Sequence, residues 1–99
     1  MKILVLPKRR EGVPLEKMQP HFTAEIQAVW DLYAQGVVRE LYTRADQPGA
    51  AILTVESPSV AEAQQTLGKL PLVAMNMLDL DFIPLAPFTN LSRLFNAQN

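Results

Sequence analysis

Ile3-Leu4-Val5-Leu6 is an unbroken apolar run, short enough to be a strand buried on both faces and too short for a helix. Pro7 predicts its end. Residues 8–14 are polar, with Gly12 and Pro14 as punctuation, and lead into a helix that has Pro14 near its first turn. Leu15, Met18, Phe22, Ile26, Val29, Trp30 and Tyr33 then recur at spacings of three and four, which predicts one apolar stripe on a helix stopped by Gly36. Pro20 interrupts it. Either the helix kinks there, or a short first turn is followed by the main helix from Pro20 onwards. Val37 to Arg44 and Ala50 to Glu56 read as two strands of a hairpin around the turn residues Ala45-Asp46-Gln47-Pro48-Gly49.

Ser59 and Glu62 have the spacing of a capping box, in which each side chain satisfies an exposed backbone donor of the other. The helix that follows turns Val60, Ala63, Leu67 and Leu70 inward and ends at Gly68 and Pro71. A Met-rich connection, Leu72 to Met77, precedes the alternation Leu78-Asp79-Leu80-Asp81-Phe82, a last strand that Pro84 and Pro87 close. The tail from Phe88 to Asn99 places Leu91, Leu94 and Phe95 on one side of a short terminal helix, the kind of segment that packs on a partner subunit.

The order βαββαβ predicts an α+β, ferredoxin-like subunit, one domain over residues 1–99, with an antiparallel sheet and two helices on one of its faces. The other face must meet water, ligand or another chain. The first strand is apolar on both sides, and Ile83 and Leu85 share a side with Asp79 and Asp81, so water is the poor choice and a homodimer closed through the open face the economical one.

Composition narrows the function classes. The chain of 99 residues has 48% hydrophobic content, nine Lys and Arg against ten Asp and Glu, and no Cys. Near-neutral charge without a basic-aromatic sheet pattern disfavours nucleic acid and anionic membranes as partners. The absence of Cys removes disulfides, thiolate nucleophiles and thiolate-bound zinc. The start Met1-Lys2 running straight into a strand, with no apolar stretch of membrane length, predicts a cytoplasmic protein without signal peptide.

Val55-Glu56-Ser57, a helix closing in Leu67-Gly68-Lys69-Leu70-Pro71-Leu72, and the acidic strand Asp79-Leu80-Asp81-Phe82-Ile83-Pro84-Leu85-Ala86 together resemble the C-terminal half of the muconolactone delta-isomerase family. The N-terminal half matches in element order and at the junction Gln35-Gly36-Val37. The resemblance implies a dimeric α+β barrel, with such dimers assembled further, and a cofactor-free proton shift on an unsaturated lactone. It carries over no catalytic residue.

Candidate chemistry therefore comes from the side chains. His21, the sole histidine, precedes Glu25 by four residues, and the two sit roughly 120° and 80° from the centre of the apolar stripe, at its margin. A carboxylate beside an imidazole tunes it for proton transfer; a surface pair without a role is the plain alternative. Tyr42 is suited to stabilising a developing enolate oxygen and Arg39 to holding a substrate carboxylate; core packing and a pair with Asp79 or Asp81 across a dimer are the competing readings. Trp30, Tyr33 and Met75 are candidate walls of the substrate site. Asp79 and Asp81 are about 7 Å apart on one side of the last strand, which suits an acid and base pair or a divalent metal ion, though the neighbourhood offers too few further ligands for a metal and such charges more often block edge aggregation. The run Lys8-Arg9-Arg10 is either an anion-holding mouth or a solvated loop. The expectation is an enzyme without metal or cofactor acting on a carboxylated lactone or enol-type small molecule, with His21 moving the proton and Glu25 orienting it. A cofactor-free monooxygenase of the same fold and a non-enzymatic ligand-binding or assembly protein are the alternatives.

Overall fold

The computed structural model describes residues 1–96, so of the terminal-helix expectation only residues 97–99 fall outside it. Four antiparallel strands, β1 (Lys2–Arg9), β2 (Val38–Thr43), β3 (Ala51–Glu56) and β4 (Leu78–Pro84), lie in the order β2-β3-β1-β4. Between β1 and β2 come α1 (Leu15–Met18), a 3-10 turn (Gln19–His21) and α2 (Phe22–Ala34). Between β3 and β4 come α3 (Val60–Leu67) and α4 (Pro71–Ala74). Pro20 thus separates a short first turn from the main helix, whose missing backbone donor falls in the 3-10 segment.

One sheet face is the core. Ile3 and Val5 of β1, Val38 of β2, and Leu53 and Val55 of β3 pack with Ala63, Leu67 and Leu70, and Ala28, Val29 and Leu32 of α2 close over them. A second cluster, Met18, Leu72 and Met77 with Phe22 against it, joins α1 to α4. Ser59 accepts a hydrogen bond from the Glu62 N–H at 3.1 Å, the expected cap of α3.

Both crossover segments stop in the same way. Gly36, at φ 82°, donates to the Tyr33 carbonyl while Val37 donates back to Leu32. Asn76, at φ 60°, donates to Val73 while Met77 donates to Leu72. These are two Schellman stops, one with glycine and one with asparagine in the left-handed position, and each turns the chain directly into a strand.

Two expectations are corrected. β1 continues through Pro7 to Arg9, because its pairing with β3 ends at Val5 and beyond that only β4 lies alongside, where a residue without an N–H fits. The last strand closes at Pro84 as expected, with Pro84 its final residue, opposite Ile3. The expected single stripe of the main helix is in fact two. Ala28, Val29 and Leu32 face the sheet, whereas Ile26, Trp30 and Tyr33 are 67%, 59% and 48% exposed.

Leu67→Ala, at a fully buried position, is expected to lower stability by about 2–5 kcal/mol in chemical denaturation. Gly36→Ala, which forces an L side chain into the left-handed region, should lower it by about 1–2 kcal/mol.

Candidate functional site

Residues opposite one another on neighbouring strands share a face, so the ladder fixes what the uncovered side carries. Glu40, Thr54, Leu4 and Ile83 form one row across all four strands. Tyr42 and Ile52 form the next row on the same side. The side chain in the acidic position of this face was not among the sequence candidates. Between Val38 and Glu40 the register slips by one, so two residues of β2 oppose one of β3. That bulge, at Arg39, sends Glu40 and Tyr42 to the open face while Val38 and Leu41 stay with the helices.

Glu40 is the hub of this face. Thr54 Oγ1 donates to its Oε1 at 3.0 Å, Lys2 Nζ lies 3.1 Å from the same oxygen, and the Tyr42 hydroxyl donates to Oε2 at 3.2 Å. The hydrogen bond from Lys2, then that from Thr54, holds the carboxyl below the usual glutamate range, so Glu40 is ionised at neutral pH. Apolar Leu4, Ile52 and Ile83 surround it on the sheet. A carboxylate with a phenol, a hydroxyl and an ammonium gathered on it, among aliphatic side chains, has the parts of a proton-transfer site. Alternation counted from Val38 puts Glu40 with the core, because it does not register the bulge; the polar Thr54 amid the apolar β3 was the available signal.

Glu25 behaves differently from the sequence expectation of a His21 partner. Its Oε1 accepts from the Leu72 N–H at 2.9 Å, capping the start of α4, which has no cap of its own. Burial raises its carboxyl above the usual range, partly opposed by that hydrogen bond. His21 is half-buried in the 3-10 turn that opens α2, and no hydrogen bond joins it to Glu25 among the described residues. Met75 follows α4 and is 39% exposed. His21 and Glu25 therefore belong to the helix layer and Tyr42 to the opposite side of the sheet, so one chain does not bring these three together. Arg39 lies at the bulge, where its Nε donates to the Gly36 carbonyl at 2.5 Å, and no carboxylate is within ion-pair distance of it among the described residues. Trp30 and Tyr33 stack on the outward side of α2 with ring centroids 5.7 Å apart.

Asp79 is held by Arg10 at 2.6 Å, and that hydrogen bond and charge keep its carboxyl below the usual range. Residues 8–14 line a shallow depression of about 710 Å³, with Arg10 thus committed to Asp79 at its rim. No group of three or more His, Asp or Glu side chains able to hold a metal ion occurs among the described residues. No helix among them is long and apolar enough to cross a membrane.

The chain is similar in structure to a solved muconolactone isomerase, with a TM-score of 0.68 over 88% of this chain and 90% of that one at 23% identity. The fold is that of muconolactone isomerase. A 5-chloro-2-hydroxyhydroquinone dehydrochlorinase from Burkholderia phenoliruptrix, solved with 2,5-dihydroxybenzoquinone, shares the muconolactone isomerase fold too, with a TM-score of 0.68 over 91% of this chain and 98% of that one at 15% identity. No protein-family model and no curated protein sequence matches the chain.

Raising the folded pKa of Glu25 means that the folded state holds its proton more firmly than the unfolded one, so stability falls as pH rises from the unfolded value through the folded one. Glu25→Gln keeps an acceptor for Leu72 and loses this titration. In thermal denaturation it is expected to gain on the wild type between pH 4 and pH 7, whereas Glu25→Ala, without the acceptor, should lose about 0.5–2 kcal/mol throughout.

Proposed function

We propose that this chain is the subunit of a homodimeric, cofactor-independent enzyme that shifts a proton on a carboxylated lactone or enol-type small molecule. The observation that carries the reading is the Glu40 cluster on the uncovered sheet face. Two such faces closing on each other form a dimeric α+β barrel, exclude water and enclose the cluster among Leu4, Ile52 and Ile83. The similarity in fold to two small-molecule enzymes supports it.

In this scheme the Glu40 carboxylate takes a proton from the carbon next to the substrate carbonyl, and the electron pair left behind moves to the carbonyl oxygen. Tyr42 and Lys2, both beside the carboxylate, donate to that developing oxyanion. Return of the proton from Glu40 to the far carbon of the conjugated system completes the shift, with no net change in oxidation state. Loss of water on closure raises the basicity of Glu40 from its lowered value in the open face. Arg39, whose guanidinium has no carboxylate partner among the described residues, binds the substrate carboxylate. The lack of Cys suits a cytoplasmic setting.

A site in the helix layer is the second reading, favoured by the raised pKa of Glu25 close to His21 in sequence. A cofactor-free monooxygenase with Trp30 and Tyr33 as cavity walls is disfavoured, because both rings stand outside the helix layer. The test is deuterium uptake from D2O into unsaturated carboxylated lactones, followed by NMR. Glu40→Gln is expected to slow uptake by about 10²–10⁴-fold and Tyr42→Phe by about 10-fold or more, with His21→Ala near wild type. Loss of uptake in His21→Ala alone would move the site to the helix layer, and a light-scattering mass of one 11.0 kDa chain would sink the barrel.

A further inference from the structure

The Glu40 carboxylate is held unevenly. Its Oε1 receives two donors, the Thr54 hydroxyl at 3.0 Å and the Lys2 ammonium at 3.1 Å, whereas its Oε2 receives only the Tyr42 hydroxyl, at 3.2 Å. The two oxygens of a carboxylate share about four lone-pair sites, so two donors fill those of Oε1 and one site stays open on Oε2. Oε1 is the anchor and Oε2 the oxygen free to gain a proton. The three donors also differ in how firmly each is placed. Tyr42 is 60% exposed, and Lys2 reaches Oε1 on a flexible four-carbon stem with its side chain 54% exposed. Thr54 is 8% exposed, stands directly opposite Glu40 in the ladder between β2 and β3, and has the restricted rotamers of a β-branched residue. Its chain neighbours Leu53 and Val55 are buried under the helices, which fixes its hydroxyl on the open face.

We infer that Thr54 is the positioning residue of this site: by holding Oε1 it fixes the plane of the Glu40 carboxylate and presents Oε2 to the substrate. The inference rests on the proton-shift reading above, and Thr54 acts only through Glu40. As a C–H bond of the substrate breaks, its proton goes to Oε2 and its electron pair to the carbonyl oxygen, and the Tyr42 hydroxyl, released from Oε2, donates to that oxygen. Oε1 keeps both of its donors throughout, so the carboxylate does not turn.

The charged and titratable groups around Glu40 are Lys2 on β1, Tyr42 on its own strand and Glu56, opposite Lys2 on β3, while β4 contributes only Ile83 to this row. Arg39, next in sequence, is turned to the Gly36 carbonyl. Thr54 carries no charge, so replacing it perturbs Glu40 without adding or removing one. Loss of its hydrogen bond disfavours the ionised form and moves the Glu40 pKa up.

Two readouts on the whole chain test this: titration of the Glu40 carboxyl by 13C NMR, assigned with Glu40→Gln, and kcat and KM for deuterium uptake into unsaturated carboxylated lactones. Thr54→Val is expected to move the Glu40 titration, and with it the acid limb of kcat/KM, to higher pH, and to lower kcat about 10-fold or more with KM unchanged. Thr54→Ser, which keeps the hydroxyl, should restore both. Circular dichroism checks that each variant is folded, and Thr54→Ala takes the place of Thr54→Val if valine prevents folding. A Glu40 titration unchanged by loss of the hydroxyl would overturn the inference whatever the activity, as would a raised titration with kcat at the wild-type level. Uptake by Glu40→Gln as fast as by the wild type would overturn the proton-shift reading and the positioning role with it, and the titration of the Thr54 variant separates that failure from a failure of the Thr54 contact.

Discussion

A four-stranded sheet with helices on one side only leaves a whole face without cover, and every other feature of this molecule is arranged around that asymmetry. Ile3 and Val5 are sealed under α2 and α3, while Leu4 and Leu6, on the other side of the same strand, have only neighbouring strands for company. Burying apolar surface on a single face suffices to hold the fold, and it makes the opposite face a demand for a further partner. The polar cluster there is coherent with such a demand. Thr54 is among the few buried polar residues, and its hydroxyl is satisfied by Glu40 across the strand pair.

The helix layer solves a smaller problem of the same kind. α4 has four residues and begins at Pro71 without a side chain of its own to receive its first amide donors. Glu25, projecting from α2, supplies an acceptor from 47 residues away in sequence. Burial of that carboxylate is the main cause of its raised pKa, partly opposed by the bond from Leu72. This separates two acidic groups by environment: one in the layer, one on the open face, with pKa values displaced in opposite directions.

Element order, the hairpin and the Ser59 cap were legible in the sequence because each rests on local chemistry: alternation, turn residues, or an oxygen three residues from an amide. The direction of α2 was not. Its apolar residues occupy two adjoining stripes, and periodicity measures that a helix is amphipathic without saying which stripe meets the sheet when both are apolar. Pro84 does end β4, whereas Pro7 does not end β1, because beyond Val5 that strand has β4 as its one neighbour and no ladder donor is missed on its open side. The Glu40 cluster was hidden by a bulge, since alternation counted from Val38 puts Glu40 with the core. The bond from the Leu72 amide to Glu25 was not legible, because a four-residue helix is too short to be seen by pattern.

The bulge at Arg39 also bears on how this strand tolerates changes of length. Arg39 is the one residue of β2 between Val38 and Glu40 that has no counterpart on β3. Removing a residue elsewhere in β2 would swap the faces of every side chain beyond the cut, whereas removing Arg39 would leave a regular ladder with Glu40 and Tyr42 pointing as they do now. The strand thus carries a spare position. A chain one residue shorter there would keep the Glu40 cluster and lose only the Arg39 guanidinium, so the facing of the strand and the bulged side chain are separable by a single deletion.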